Sequence, residues 1–352
     1  MDRKMNVNDC ICLLEKLISI PRTSREEKAA ADWLEQEMRL LGLTPQRLHN
    51  NLWEVAPGYD GGKPTLLLNA HIDTVRPVSA WTRNPYEPRR TEEGCLYGLG
   101  SNDDGASLVT LLATYCNLRG ASLPYNLVFL ASAEEEVSGK NGIECVLPLL
   151  PPISVALVGE PTGMQPAIAE KGLMVLDCTA HGKAGHAARN EGDNAIYHAL
   201  KDIEWFRTFR FPEESPLLGG VKMTITIIQA GTQHNVIPDT CSFTVDVRSN
   251  ECYSNKEIYD VVCQNVESEV KARSFRLNSS RMESSHPLLQ RAIELGRKPF
   301  GSPTLSDQAL MPFPSMKMGP GQSSRSHTAD EYILIQEMEE ALEIYRKMIE
   351  GE

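Results

Sequence analysis

Three apolar runs in the first half of the chain, Thr65–Ala70, Leu127–Ser132 and Val155–Val158, each lead directly into a segment rich in carboxylate or imidazole groups. A short run of Leu, Val, Ala and Phe bounded by polar turns reads as a strand buried on both faces. Helical spacing over Ala106–Leu118 places a helix between the first two runs. Alternation of strand and helix predicts an α/β fold, a mostly parallel sheet flanked by helices. In such sheets the ligand site forms beyond the carboxyl ends of the strands. The segments that follow the strands are therefore where chemistry is expected.

The remaining pattern divides the chain. Ile11, Leu14, Leu17 and Ile18 recur at helical spacing and stop at Pro21, and Ser24 with Glu27 reads as a capping box for a second helix ending near Gly42. After Gly163 the texture changes. Leu173–Ala180, Val221–Gln229 and Cys241–Arg248 alternate like half-exposed strands, with helices near Asn194–Phe206 and Asn255–Val270. This predicts an inserted α+β domain over residues 169–282, with the catalytic domain contributed by 1–168 and 283–352 and closed by a helix over Ile335–Ile349. The return is expected because His327 must lie near His71 if both bind metal. A length of 352 residues agrees with more than one core.

Composition excludes several classes. A net charge of −12 disfavours nucleic acid and anionic membranes as partners and leaves a small-molecule substrate. The nine cysteines include no CxxC pair and sit in apolar stretches, as reduced thiols of a cytoplasmic protein do. No run approaches the roughly 20 apolar residues of a membrane span.

The chemistry-bearing segments are LLLNAHIDTV with His71 and Asp73, YGLGSNDDGA with Asp103, VFLASAEEEVSGKNG with Glu134 to Glu136, VALVGEPTG with Glu160, and GPGQSSRSHTADEY with His327. His71 and Asp73 share one side of an extended chain, so one can bind metal while the carboxylate fixes the other's tautomer. Taken singly, each has a plainer reading: a surface hydrogen bond for His71 and Asp73, a helix cap for Asp103 (with Asn102 or Asp104 the better placed), a solvated acidic loop, a turn acceptor for Glu160. Charge separates the readings. Three consecutive glutamates at the end of a buried strand require a cation. Two dications are neutralised by three carboxylates and a hydroxide, with neutral imidazoles completing the set. Donors without thiolate suit two zinc ions, and cobalt or manganese also fit.

These segments, with HGKAGH, HNVIPD and DVR in the same order, resemble the zinc-dependent aminoacylase and exopeptidase superfamily that includes acetylornithine deacetylase, succinyl-diaminopimelate desuccinylase, aminoacylase and dimeric carboxypeptidases. The resemblance spans nearly the whole chain. It implies that His71 and Glu160 hold one metal, Glu136 and His327 the other, and Asp103 bridges them. Counting back from Gly142 makes Glu135 the general base; the competing register puts base and ligand at Glu134 and Glu135. The water it would activate is shared by the two ions.

The resemblance also implies that the insert forms a homodimer, that His186 reaches the partner's site, and that Asn235 and Arg248 hold the substrate's carboxylate, with Arg325 a further candidate reader. Their plainer readings are a loop histidine, a turn former and a strand-end arginine. Leu99 stands where the family often has arginine, and Ala187 to Asn190 depart from its usual pattern. The implied activity is hydrolysis of an N-acyl amide of an amino acid, most like acetylornithine deacetylase in arginine biosynthesis. The alternatives are a desuccinylase acting on ornithine, citrulline or diaminopimelate compounds, and a dipeptidase or carboxypeptidase. A non-catalytic metal-binding homologue would lack a ligand or the base, and none is missing here.

Overall fold

The computed structural model describes residues 4–189 and 191–351. They form two compact units, one of residues 4–168, 281–300 and 306–351, the other of the described residues within 169–280 together with 301–305.

The first unit is built on a sheet whose strands run Gln46–Leu48, Asn51–Val55, Asn126–Ser132, Thr65–His71, Val155–Val158, Ser315–Lys317 and then Ala167–Glu170, where the chain passes into the second unit. The centre is parallel: Thr65–His71 pairs with Asn126–Ser132 on one side and Val155–Val158 on the other, and Ser315–Lys317 adds to Val155–Val158 in the same sense. Asn51–Val55 is antiparallel at its edge. Every residue of Thr65–His71 and Asn126–Ser132 is buried, which explains their unbroken apolar character. Alternate residues serve opposite faces. Leu66 and Leu68 join Leu108, Leu111 and Leu112 of the helix Ala106–Leu118 and Tyr345 of the last helix, Ile335–Glu350. Leu67 packs with Val128, Ile143 and Val146 on the other side. The mostly parallel sheet with helices on both faces is the architecture the strand–helix alternation predicts.

Local details correct the reading of the ends. The first helix starts at Val7, about one turn before Ile11, because Asn6 and Asp9 form a capping box. The second, Lys28–Leu40, has Glu27 at its N-cap and no side-chain cap. Ser24 instead donates its hydroxyl to Asp73 at 2.6 Å, and Glu27 accepts the Glu134 N–H, so both residues serve the site and not the helix.

The second unit is a four-stranded antiparallel sheet in the order Lys222–Ala230, Thr240–Arg248, Met174–His181, Glu269–Ala272. Met174, Leu176, Cys178 and Ala180 alternate with partly exposed residues, and their buried side meets Ala195, Ala199, Phe206, Ile258 and Val262 of two helices. A register slip of one residue would carry Asp177 into that core. The helix expected to reach Val270 ends at Asn265, since the Asp202 carboxylate captures the N–H groups of Glu267 and Ser268 and turns the chain into an edge strand. The opposite edge, Lys222–Ala230, leaves Ile227 and Ile228 about half exposed.

Candidate metal centre

The parallel strands Thr65–His71, Asn126–Ser132 and Val155–Val158 each end at or shortly before a candidate donor. His71 closes Thr65–His71 and is 3% exposed. Its Nδ1 lies 3.0 Å from the Asp73 backbone carbonyl, which only accepts, so in the neutral ring Nδ1 carries the proton and Nε2 is the nitrogen left to bind a cation. The Asp73 carboxylate sits 3.5 Å from Nδ1 and also accepts the N–H groups of Glu135 and Glu136 at 3.1 and 3.2 Å. One buried carboxylate therefore orients the imidazole and fixes the acidic turn.

Asp103 lies in the turn 101–105, whose Asp103–Asp104 peptide is cis, and it does not cap the helix that follows. Its Oδ1 stands 3.2 Å from His71 Nε2 and its Oδ2 3.7 Å from His327 Nε2, one oxygen toward each histidine. Glu136 Oε2 is 2.9 Å from His327 Nε2, while its Oε1 is buried without a hydrogen-bond partner. Glu135 Oε2 is 3.9 Å from His71 Nε2. Two sets of donor atoms gather within 4.8 Å of one another, His71 with Asp103 and Glu136, and His71 with Glu135 and Glu160. His327, at φ +59° and with half its side chain exposed, marks the open side.

The electrostatics follow from crowding. Burial pushes Glu135 well above the ordinary glutamate range, reinforced by repulsion from Glu160, Asp307 and Glu136 and opposed by His71. Burial raises Glu160 likewise, with Lys317 opposing and Asp103 and Asp104 repelling, and burial also raises Glu136. Asp104 is pushed up to about 8, chiefly by burial. His327 rises to about 9 through its hydrogen bond with Glu136. Burial works against the His71 imidazolium, yet hydrogen bonds to Asp103 and Asp73 outweigh it and the group is held well above its usual range. Carboxylates this desolvated hold protons or cations. The orphaned Glu136 oxygen and the all-imidazole, all-carboxylate donor set fit divalent zinc, cobalt or manganese.

Four other sequence candidates are not among these donors. Arg325 donates to Glu337 at 2.7 Å and stacks over the Tyr332 ring at 4.5 Å. His186, Asn235 and Arg248 belong to the second unit. There Gly185–His186 pairs with Val236–Ile237, and the Asn235 carbonyl accepts the Ala187 N–H, so His186 and Asn235 are neighbours on an exposed surface. Arg248 forms a fork with Asp246 at 2.8 and 3.0 Å. Leu99 is buried; Ala187 to Arg189 are exposed, and Asn190 lies outside the described residues. Sequence reasoning missed Asp307, which receives the Ser132 hydroxyl at 2.6 Å, and the buried Lys317 and Glu331. Lys317 at least carried a signal, since it too ends a strand of the sheet.

The model of peptidase family M20/M25/M40 matches residues 67–351. The chain belongs to this family. It is 26% identical to the succinyl-diaminopimelate desuccinylase of Corynebacterium glutamicum, over 97% of this chain and 96% of that one. Among solved structures it resembles a tripeptidase from Staphylococcus aureus (TM-score 0.76, 20% identity, 99% of each chain) and a dinuclear metal-binding peptidase of the M20 family from Bacillus subtilis (TM-score 0.72, 18% identity, 97% of each chain). This M20 member is a metal-dependent amidohydrolase. Among the described residues no helix is long and apolar enough to cross a membrane.

Proposed function

We propose that the chain hydrolyses the N-acyl amide of an amino acid with two metal ions, one held by His71 and Glu160, the other by Glu136 and His327, with Asp103 shared. The observation that carries this reading is the disposition of Asp103, whose two oxygens face the two histidines separately. When bound, the ions acidify water and polarise the scissile carbonyl.

The chain's own residues supply the rest. Glu135 is the general base: burial and its acidic neighbours keep its proton affinity high, which suits a group that takes a proton from water and returns it to the leaving amine. Glu134 is a poorer candidate because its carboxylate accepts from the Asn141 side chain at 2.9 Å. Asp73 holds the base and Glu136 in register through their backbone N–H groups.

For the acyl group there are two readings. Sequence motifs favour acetyl, as in acetylornithine deacetylase; the relationship to a desuccinylase favours succinyl. Metal analysis with a panel of N-acetyl, N-succinyl and dipeptide substrates tests both, and a metal-loaded protein inert toward all three classes would sink the proposal.

The second unit is proposed as a dimerisation domain. Its exposed edge strand, with Ile227 and Ile228, and Tyr197 and Leu200 on the helix Ala195–Thr208 form an apolar surface suited to a second copy. His186 would complete the partner's site, with Asn235 and Arg248 reading the substrate's carboxylate. Co-expressed Glu135→Gln and His186→Ala subunits then recover up to half the activity per heterodimer. A monomer in sedimentation, or no recovery from folded, metal-loaded heterodimers, rejects the trans role.

A further inference from the structure

Two buried side chains beside the donor set have no part in the proposed chemistry. Asn102, immediately before Asp103, donates from Nδ2 to the Gln322 carbonyl at 3.1 Å and the Ser326 hydroxyl at 3.3 Å, and its Oδ1 accepts the Gln322 N–H at 3.0 Å. Residues 322–326 lead directly into His327, so one amide ties the Asp103 turn to the His327 loop. The close approach depends on Gly321, at φ +87°, where a Cβ would lie 2.2 Å from Asn102 Oδ1. Glu331 is 2% exposed and follows His327 by one turn's length of chain. Its Oε1 accepts the N–H groups of Asn102 and Asp103 at 2.8 and 2.9 Å, and its Oε2 that of Gly100 at 2.9 Å. Behind the turn, the fully buried Arg22 donates to the carbonyls of Gly100, Ile72 and Leu17 at 2.9, 2.7 and 3.1 Å. Gly100 permits this contact, since a Cβ there would meet the guanidinium at 2.3 Å.

The two ties act on different donors. His71 sits on a buried strand and needs no loop to hold it. His327 is on a half-exposed loop in a left-handed conformation, so keeping its imidazole in place costs conformational entropy that the Asn102 bonds offset. Glu331 instead fixes the backbone of Asp103, the carboxylate common to both positions. We propose that Asn102 is a positioning residue for His327 and Glu331 one for Asp103, so that loss of Asn102 weakens one metal position and loss of Glu331 weakens both. This rests on the donor assignment given above. Hydrogen-bonding partners of metal ligands typically govern affinity at this level.

The test is titration of metal-free protein with zinc against a competing chelator, for the parent, Asn102→Ala, Asn102→Ser, Gly321→Ala, Glu331→Gln and His327→Ala, together with the melting temperature of each metal-free protein. Asn102→Ala is expected to weaken by about 10- to 100-fold the same affinity that His327→Ala abolishes, leaving the other within about threefold, while Glu331→Gln weakens both. Asn102→Ser, which keeps one small polar group, and Gly321→Ala, which displaces the amide without removing it, repeat the selective loss should Asn102→Ala not fold. Folded Asn102 variants with both affinities unchanged, or with both weakened equally, overturn the proposal, as does a lowered melting temperature without any change in affinity. A parent that binds fewer than two ions, or His327→Ala that keeps both, overturns the donor assignment itself, and the roles of Asn102 and Glu331 with it.

Discussion

The two units treat charge in opposite ways. In the second, charges are answered locally: Asp177 meets Arg273 at 2.8 and 2.9 Å, Arg248 meets Asp246, and Asp202 receives the N–H groups of Glu267 and Ser268. In the first, Asp103, Glu135, Glu136 and Glu160 are pressed together with two imidazoles, and a buried oxygen of Glu136 has no partner. A self-neutralised arrangement is a finished surface. A buried cluster in which carboxylates outnumber cationic side chains has the chemistry of a cation site.

The comparison breaks most visibly at Asp103. Because its two oxygens face different histidines, Asp103→Ala should lose both ions, and turnover should fall by more than the roughly 100-fold typical of changes outside the ligand set. Metal content and activity measured on the same preparation check this; two ions retained with ordinary turnover would show that Asp103 does not bridge. Next in size is Glu135→Gln, which keeps shape but removes the proton acceptor. It should lower turnover by about 10²- to 10⁴-fold with metal retained, whereas Glu136→Gln should lose an ion. If Glu135→Gln is the variant that loses metal and Glu134→Gln the one that keeps it without turnover, the base lies one residue earlier.

A subtler consequence concerns pH. Burial raises Glu135, Glu136 and Glu160 in the folded metal-free protein, so their contribution to stability is complete below the ordinary glutamate value of 4.5 and is lost as pH rises through their folded values. His71 and His327 are raised too, and their contribution is likewise lost on the alkaline side, for His327 through about 9. Asp73 and Asp103, both lowered from 3.8, act the other way and only at lower pH. The metal-free protein should therefore weaken from mildly acid to mildly alkaline pH, while bound dications remove the repulsion. The melting-temperature gap between zinc-loaded and metal-free protein should widen with pH; a constant or narrowing gap would mean that the cluster does not govern stability.

Much of this was legible because strands announce themselves. The runs Thr65–Ala70, Leu127–Ser132 and Val155–Val158 give both the parallel sheet and the places where its candidate donors emerge, and the helix Ala106–Leu118 and the strand Val155–Val158 lie where the pattern puts them. What stayed hidden was satisfied by tertiary partners. Ser24 and Glu27 have the spacing of a capping box, yet their hydrogen bonds go to Asp73 and Glu134, far along the chain. Val270 continues a helical pattern, but Asp202 stops that helix from 65 residues away. Asn102 and Glu331 look like ordinary polar residues until the GPG and HTADEY segments are brought against the Asp103 turn.

The smallest expected effect separates Arg248, which the resemblance implies as a reader of the substrate carboxylate, from Arg325, the further candidate. Arg325 has its guanidinium committed to Glu337 and to the Tyr332 face, and its side chain is only 16% exposed. Arg248 is twice as open, and its fork with Asp246 joins residues two apart on one strand, a pairing of modest worth in water that a substrate carboxylate can displace. Arg325→Met should thus change KM for N-acyl amino acids by less than about threefold while lowering the melting temperature, as loss of a partly buried ion pair does. Arg248→Met should raise KM about 10-fold or more, the cost of a lost charge-assisted hydrogen bond, with kcat and melting temperature less affected. Measuring KM, kcat and melting temperature for both variants decides it: a large KM effect at Arg325 with none at Arg248 would place carboxylate recognition in the first unit and remove the second unit's part in binding substrate.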